Sequence, residues 1–256
     1  MNDLLVTRDA GIVTLTFNRP QARNALTFAM YEGLAALCAA IDAEDETKVL
    51  IVTGAGDQAF AAGTDISQFH AFETDADSLG YEARIERVLD ALERCRVPTI
   101  AAMAGACTGG GAAIAGCCDL RLGTASLKFG FPIARTLGNC LSAENLGRLV
   151  ALLGEARVKD MIFTARLIEA EEAKAIGLVV GLVADAPALT VAAADLARKI
   201  AGMAPLTLRA TKQALLRQRP RIDPADDLVL LCYRSRDFRE GMTAFGEKRR
   251  PLWEGR

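Results

Sequence analysis

The sequence predicts an α/β fold, and three observations carry that reading. Strand-like and helix-like segments alternate through residues 4–123, the strand-like runs at 49–53 and 99–103 are mostly apolar without a charge, and helical patterning takes over after Ser142. An uninterrupted apolar run marks a strand covered on both faces, as parallel sheets between helices require. With 256 residues, 51% hydrophobic and 24% charged, the chain holds enough apolar surface for one large domain or a domain with an appendage.

In chain order, LLVTR (4–8) and IVTLTF (12–17) are β-rich, and the DAG between them supplies the turn of a hairpin. Met30, Leu34, Leu37 and Ile41 recur at helical spacing, with Thr27 as the cap. VLIVT (49–53) is a buried strand. Residues 73–80 (ETDADSLG) are polar and aperiodic, which predicts a loop before a helix from about Tyr81 to Cys95. A strand follows at 99–103, then a glycine turn, a short helix and a strand near 119–123. Helices are predicted at 143–153, 155–164, 169–176 and 188–202, with a strand near 179–183. Pro205 and Pro220 punctuate a tail of two or three further helices. The expected division is a core over 1–195 and a helical region over 196–256.

Charge separates the same two parts. The chain carries 30 basic and 32 acidic side chains, a balance that excludes a general nucleic-acid or polybasic membrane binder. From Arg198 onward, however, 14 are basic and 7 acidic, against 16 and 25 before it. Such a tail fits solvated helix faces, an anionic ligand or the acidic surface of another subunit. Seven cysteines without metal-ligand spacing read as reduced, small core residues, and with no signal-like start they point to the cytoplasm. Val97–Cys118 lacks charge for 22 residues, but Pro98 and five glycines in it argue for strand, loop and helix rather than a membrane span.

Much chemistry is excluded by what is missing. There is one histidine, His70, and no G-x-S-x-G, C-x-x-C or H-E-x-x-H, so serine-hydrolase, dithiol and zincin readings have no support. Gly54-Ala-Gly-Asp-Gln-Ala59 fits a dinucleotide fingerprint after a strand, but the residues behind it lack the amphipathic helix that fingerprint needs. Two other glycine turns stand out: Phe60-Ala-Ala-Gly-Thr-Asp-Ile66, and Gly105 through Gly109-Gly110-Gly111. Amide N–H groups at such turns favour an oxygen that carries negative charge, and glycine lets it approach the backbone. Two N–H groups aimed at one point make an oxyanion hole; the alternative is a tight crossing between close-packed elements.

Four segments, in order along nearly the whole chain, carry a resemblance. NRPQARNAL (18–26), LIVTGAGDQAFAAGTDI (50–66), PTIAAMAGACTGGG (98–111) with Cys118-Asp119, and REGMTAFGEKRRP (239–251) resemble successive signatures of the crotonase (enoyl-CoA hydratase/isomerase) superfamily. The resemblance implies an α/β spiral of ββα turns with a C-terminal helical oligomerisation region, assembled as a homotrimer or dimer of trimers. It implies an acyl-CoA substrate, so that coenzyme A enters as part of the thioester and no other cofactor or metal is needed. The thioester oxygen would lie between the amides of Thr64 and Gly110. Backbone around Arg23–Ala25 and Ala62, together with Asp65 and Ile66, would line the CoA and acyl sites, and Phe245 and Lys248 would reach the nucleotide of a neighbouring subunit.

At the two positions where hydratases of the superfamily hold glutamates, this chain has Ala113 and Ile133. Neither side chain moves a proton. Glu144, at the start of a predicted helix, and His70, behind the first glycine turn, are the remaining acid–base candidates, each with a plain structural alternative as helix cap and as packed rim residue. Asp65 and Asp119, at strand ends, read as ligands of nearby backbone, Arg135 as a contact to a carboxylated acyl group or a surface residue, and Cys140 as inert. The sequence therefore predicts an acyl-CoA enzyme in which ordinary enoyl-CoA hydration is doubtful. Isomerisation, decarboxylation or thioester hydrolysis through Glu144 or His70, and acyl-CoA binding without turnover, are the alternatives; a nicotinamide oxidoreductase is remote.

Overall fold

The computed structural model describes residues 3–71, 74–219, 222 and 225–256, with backbone alone at 69–71. Strands β1 (Leu4–Asp9) and β2 (Ile12–Phe17) form the predicted hairpin, turned by Ala10 and Gly11, both at positive φ. Helix α1 (Phe28–Asp42) begins where Thr27 Oγ1 accepts from the Met30 amide, as predicted, and buries Met30, Tyr31, Leu34, Ala35, Cys38 and Ile41. Strand β3 (Val49–Gly54) is followed by a three-residue strand β4 (Ala59–Ala61), too short for periodicity to announce.

The expected loop over 73–80 is instead the start of helix α2 (Asp75–Arg94). Thr74 and Asp77 explain the difference: Asp77 Oδ2 accepts from the Thr74 amide and the Asp77 amide donates to Thr74 Oγ1, a reciprocal cap that converts a polar run into a helix start. Residue 73 and Pro220 lie outside the described residues.

Beyond α2 come β5 (Thr99–Met103), β6 (Ala106–Thr108), α3 (Gly110–Cys117), β7 (Leu120–Thr124) and β8 (Lys128–Gly130). Then follow α4 (Ile133–Thr136), α5 (Ala143–Leu153), α6 (Glu155–Phe163), β9 (Ile168–Glu169), α7 (Ala170–Ala175), β10 (Gly181–Val183) and α8 (Ala186–Ala201). Among the described residues the tail holds α9 (Pro205–Arg217), α10 (Asp226–Tyr233) and α11 (Arg236–Gly246), within the two or three helices expected.

These elements sort into two compact units, one of Met1–Thr64, Arg87–Phe129 and Ile168–Arg221, the other of Asp65–Glu86, Gly130–Leu167 and Ile222–Arg256. The first unit contains a six-stranded sheet in the order β1-β2-β3-β5-β7-β10, parallel except for the opening hairpin. Helix α8 lies on it, and Leu189, Ala193 and Ala197 pack against Val49, Ile51, Ile100, Ala102 and Leu122. A second sheet, β4-β6-β8-β9, carries the glycine turns at its strand ends. The second unit has its own core of Leu137, Val229, Tyr233, Phe238 and Met242.

Two charged side chains of the first unit, Arg121 and Asp119, are used to tie backbone together. Arg121 donates to the carbonyls of Ala115, Cys118 and Leu178, so its guanidinium closes the C-terminal end of α3. Asp119 accepts from the amide and hydroxyl of Thr99 and from Lys212 Nζ at 2.7 Å, the backbone role its sequence position suggests. Lys212 and Arg219, which pairs with Glu93, thereby tie part of the basic tail to acids of the core. Among the described residues no helix is long and apolar enough to cross a membrane and no cluster of His, Cys, Asp and Glu could hold a metal ion.

Candidate active site

The first unit brings the two glycine turns together, and the chain before α1 sets their position. Arg23 and Asn24 sit at positive φ, 51° and 55°. Asn24 tolerates that conformation because its side chain makes local bonds. It is fully buried, donating from Nδ2 to the carbonyls of Ala55 (3.0 Å) and Ala59 (2.7 Å) and accepting at Oδ1 from the Arg19 amide (3.0 Å). The loop is thereby fixed against the first glycine turn. The Ala62 amide donates to Arg23 O at 3.1 Å, the Leu26 amide to Gly63 O at 2.8 Å, and Leu26 bridges Thr64 in parallel register. Arg23, Ala25 and Ala62, expected to border one ligand, are neighbours.

The second turn meets the first at Gly109 and Gly110. Gly63 and Gly109 both have positive φ, 108° and 53°, and a Cβ on Gly109 would lie 3.3 Å from Gly63 Cα. A Cβ on Gly111 would lie 2.2 Å from the carbonyl oxygen of Ala61, so the second turn must run on bare backbone against β4. Gly109 has no side chain to cap α3, whose first N–H groups face the turn. Thr64, Gly109 and Gly110 are half-buried at this junction, while strand β4 before the first turn is fully buried.

Tyr31 was not singled out by the sequence, where it is one apolar member of the α1 stripe. Its hydroxyl lies 2.9 Å from Thr64 Oγ1 and occupies the space a Gly110 side chain would fill, 1.9 Å from that Cβ position. Ala113, one turn into α3, is buried and its amide donates to Gly109 O. After Gly54-x-Gly56 comes strand β4 rather than a helix, so the dinucleotide fingerprint lacks the helix N-terminus it requires.

The second unit holds the other expected residues. Asp65 Oδ1 accepts from Ser67 N (3.2 Å) and Ser67 Oγ (2.7 Å), closing the turn that opens a 3₁₀ helix over Ile66–Ala71. The side chain of His70, in that helix, lies outside the described residues. Ile133 is buried at the first position of α4. Glu144 is half-buried in the first turn of α5, but Ser142 makes the cap, accepting from Asn145 N at 3.1 Å. Phe245 and Lys248 are exposed at the end of α11, and Arg135 is a surface residue.

This unit also contains a polar cluster that the sequence reading missed. Tyr233 Oη donates to Glu82 Oε1 at 2.6 Å; burial pushes the Glu82 carboxyl up to about 7, against the opposing effect of that bond, and nearby Glu86 adds to the rise. Glu86 in turn pairs with Arg148 and accepts from Ser142 Oγ. The available signal was the i, i+4 spacing of Glu82 and Glu86, which puts two carboxylates on one helix face beside Ser78 and Ile85. Cys140, expected to be inert, donates its thiol to the Leu228 carbonyl at 3.6 Å, and the neighbouring Cys232 and burial push that thiol up, which keeps it protonated.

A mixed α/β spiral with paired glycine turns, one after β4 and one ahead of α3, defines the class: proteins of the crotonase fold. The profile of the enoyl-CoA hydratase/isomerase family matches residues 7–256. The chain belongs to that family, whose members are acyl-CoA-processing enzymes. It is 33% identical to the short-chain-enoyl-CoA hydratase of Clostridium acetobutylicum, over 98% of this chain and 97% of that one. It is likewise 33% identical to the crotonyl-CoA hydratase of Syntrophomonas wolfei, over 97% and 96%. Among solved structures, an enoyl-CoA hydratase/carnithine racemase from Magnetospirillum magneticum superposes with a TM-score of 0.81 at 34% identity, covering 100% of this chain and 97% of that one. An enoyl-CoA hydratase from Mycobacterium avium subsp. paratuberculosis reaches 0.83 at 26% identity, over 99% of both.

Proposed function

We propose that this chain binds an acyl-CoA thioester and polarises its carbonyl between the backbone N–H groups of Thr64 and Gly110, so that an enolate forms on the acyl group. The observation that carries the reading is the meeting of two glycine turns, with no side chain on Gly63, Gly109, Gly110 or Gly111 to bar an oxygen from the amides. A base removes a proton from the carbon next to the thioester; that electron pair becomes a carbon–carbon double bond, and the carbonyl oxygen takes the negative charge. Fixed amide donors stabilise that charge, and loss of one donor from such a hole costs about 3 kcal/mol. Coenzyme A arrives and leaves with the acyl group. The subunits assemble as a homotrimer or a dimer of trimers.

Ala113 and Ile133 supply neither acid nor base, so hydration of crotonyl-CoA is expected to be weak or absent. Glu144 is our choice of base: Ser142 already caps α5, which leaves the Glu144 carboxylate to act in proton transfer. The test is incubation with a panel of acyl-CoAs in D₂O, followed by mass spectrometry. Deuterium uptake next to the thioester, lost in Glu144→Gln, supports enolisation through Glu144. Uptake that survives Glu144→Gln moves the base elsewhere, with His70→Gln the next variant. Binding without uptake in the wild type leaves an acyl-CoA-binding protein and overturns the enzymatic reading. Rapid hydration of crotonyl-CoA by Glu144→Gln and His70→Gln alike would overturn the expectation drawn from Ala113 and Ile133.

A further inference from the structure

The geometry points to Tyr31 as the positioning residue of the oxyanion hole, its phenol setting the spacing between the Thr64 and Gly110 amides. The inference rests on the reading of those amides as thioester donors and adds to it a side chain that tunes them. Tyr31 is 1% exposed. A buried phenol must satisfy its O–H, and here the partner is Thr64 Oγ1 at 2.9 Å. The same oxygen stands 1.9 Å from where a Gly110 Cβ would be, with Thr64 Oγ1 3.2 Å from that point. One hydroxyl thus bonds the first turn and forms the wall of the second, reaching both donor-bearing residues at once.

The support beneath is rigid. Tyr31 sits in the first turn and a half of α1, whose start is pinned by Thr27 Oγ1, and Leu26, just before that cap, donates its amide to Gly63 O at 2.8 Å. The helix therefore fixes the backbone of the first turn on one side of Thr64, and the phenol fixes its side chain on the other. This gives roles to two residues whose types a backbone hole does not itself require. Thr64 supplies a hydroxyl for the phenol, and Gly110 leaves room for it. Misplacement of a reacting group by about 1 Å suffices to cost a hundredfold in rate, so a wall that holds two amides in register is a kinetic device even where it contributes little to stability.

The test uses Tyr31→Phe, Thr64→Val and Thr64→Ser. The probe is the most tightly bound of butyryl-, octanoyl- and dodecanoyl-CoA, carrying ¹³C at the thioester carbonyl. Isotope-edited infrared spectra of the bound ligand read the polarisation of that carbonyl directly, which a merely structural role would not change. In Tyr31→Phe and Thr64→Val the carbonyl band is expected to move back toward its position in free acyl-CoA, and deuterium exchange to fall about tenfold, less than the ~100-fold of a lost donor. The dissociation constant should stay within about twofold, because CoA contacts are untouched. Thr64→Ser keeps the hydroxyl and should restore the wild-type band. The double variant Tyr31→Phe/Thr64→Val should be no worse than either single one.

A second measurement concerns Gly110 and needs no turnover. Gly110→Ala should be strongly destabilised against denaturant, and Tyr31→Phe should recover part of the loss, since without the hydroxyl the nearest atoms to the new methyl are the ring carbon Cζ and Thr64 Oγ1, each at 3.2 Å. A wild-type band in Tyr31→Phe, or additive losses in the Gly110 pair, overturns the positioning role. No band shift in the wild type itself, with ligand bound, overturns the oxyanion reading instead.

Discussion

Glu82 and Tyr233 show how a single buried contact sets a response to pH. With its carboxyl raised from 4.5 to about 7, Glu82 keeps its proton in the folded chain over a range where the unfolded chain loses it. A raised pKa means stability that is whole below 4.5 and is lost as pH climbs through about 7. At about 1.4 kcal/mol per pKa unit the full shift is worth some 3 kcal/mol, and the partial exposure of the residue reduces this to about 2 kcal/mol. Glu82→Gln carries no such proton. Its melting temperature should match the wild type near pH 4.5 and exceed it by several degrees at pH 8; parallel curves across that range would show that the carboxyl titrates normally. Single residues divide in the same way between legible and hidden. Gly63, Gly109 and Gly110 are legible because a missing side chain is itself the signal, whereas Tyr31 and Glu82 look like any stripe aromatic and any surface acid until the fold sets a partner opposite each.

At the scale of elements, strands β2, β3, β5 and β7 and most helices follow from their apolar patterning, because each buries a face long enough to register. The strands β4, β6 and β8 have three residues each, less than two periods of alternation, and so escape such a reading although they carry the glycine turns. The start of helix α2 departs from its sequence pattern for a different reason. Its first turn is acidic and interrupted by Ser78 and Gly80, so propensity favours a loop, and the cap decides the outcome. Thr74→Ala removes the acceptor for the Asp77 amide and should cost about 1 kcal/mol in denaturant unfolding. Asp77→Asn keeps an acceptor for the Thr74 amide and should cost less. An unchanged midpoint in Thr74→Ala would mean that packing of Ser78, Ile85 and Leu89, not the cap, starts the helix.

For the whole molecule, the basic tail is less a field for distant anions than the count of charges suggests. Lys212 meets Asp119 and Arg219 meets Glu93 within the first unit, while in the second Arg234 meets Asp75 and Arg249 meets Glu240. Part of what the second unit leaves uncovered is apolar: Leu228 and Leu231 are 55% and 70% exposed on one face of α10, and Leu252 and Trp253 follow at 75% and 41%. Scattered apolar residues are ordinary on a surface, but four on one helix and the adjoining C-terminal tail of the same unit suit a face that another subunit covers. A second copy of this chain is the occupant we propose, in line with the homotrimer or dimer of trimers. Leu228→Asp/Leu231→Asp changes side chains that the single chain exposes, so its fold should hold, with unfolding within about 0.5 kcal/mol of wild type. Two charges facing a partner's apolar surface should instead break the assembly. In sedimentation velocity the wild type should appear at three or six times the 27.2 kDa chain, and the variant at the single chain. A wild type that sediments as a single chain, or a variant that keeps the wild-type mass, would remove this face from the subunit interface.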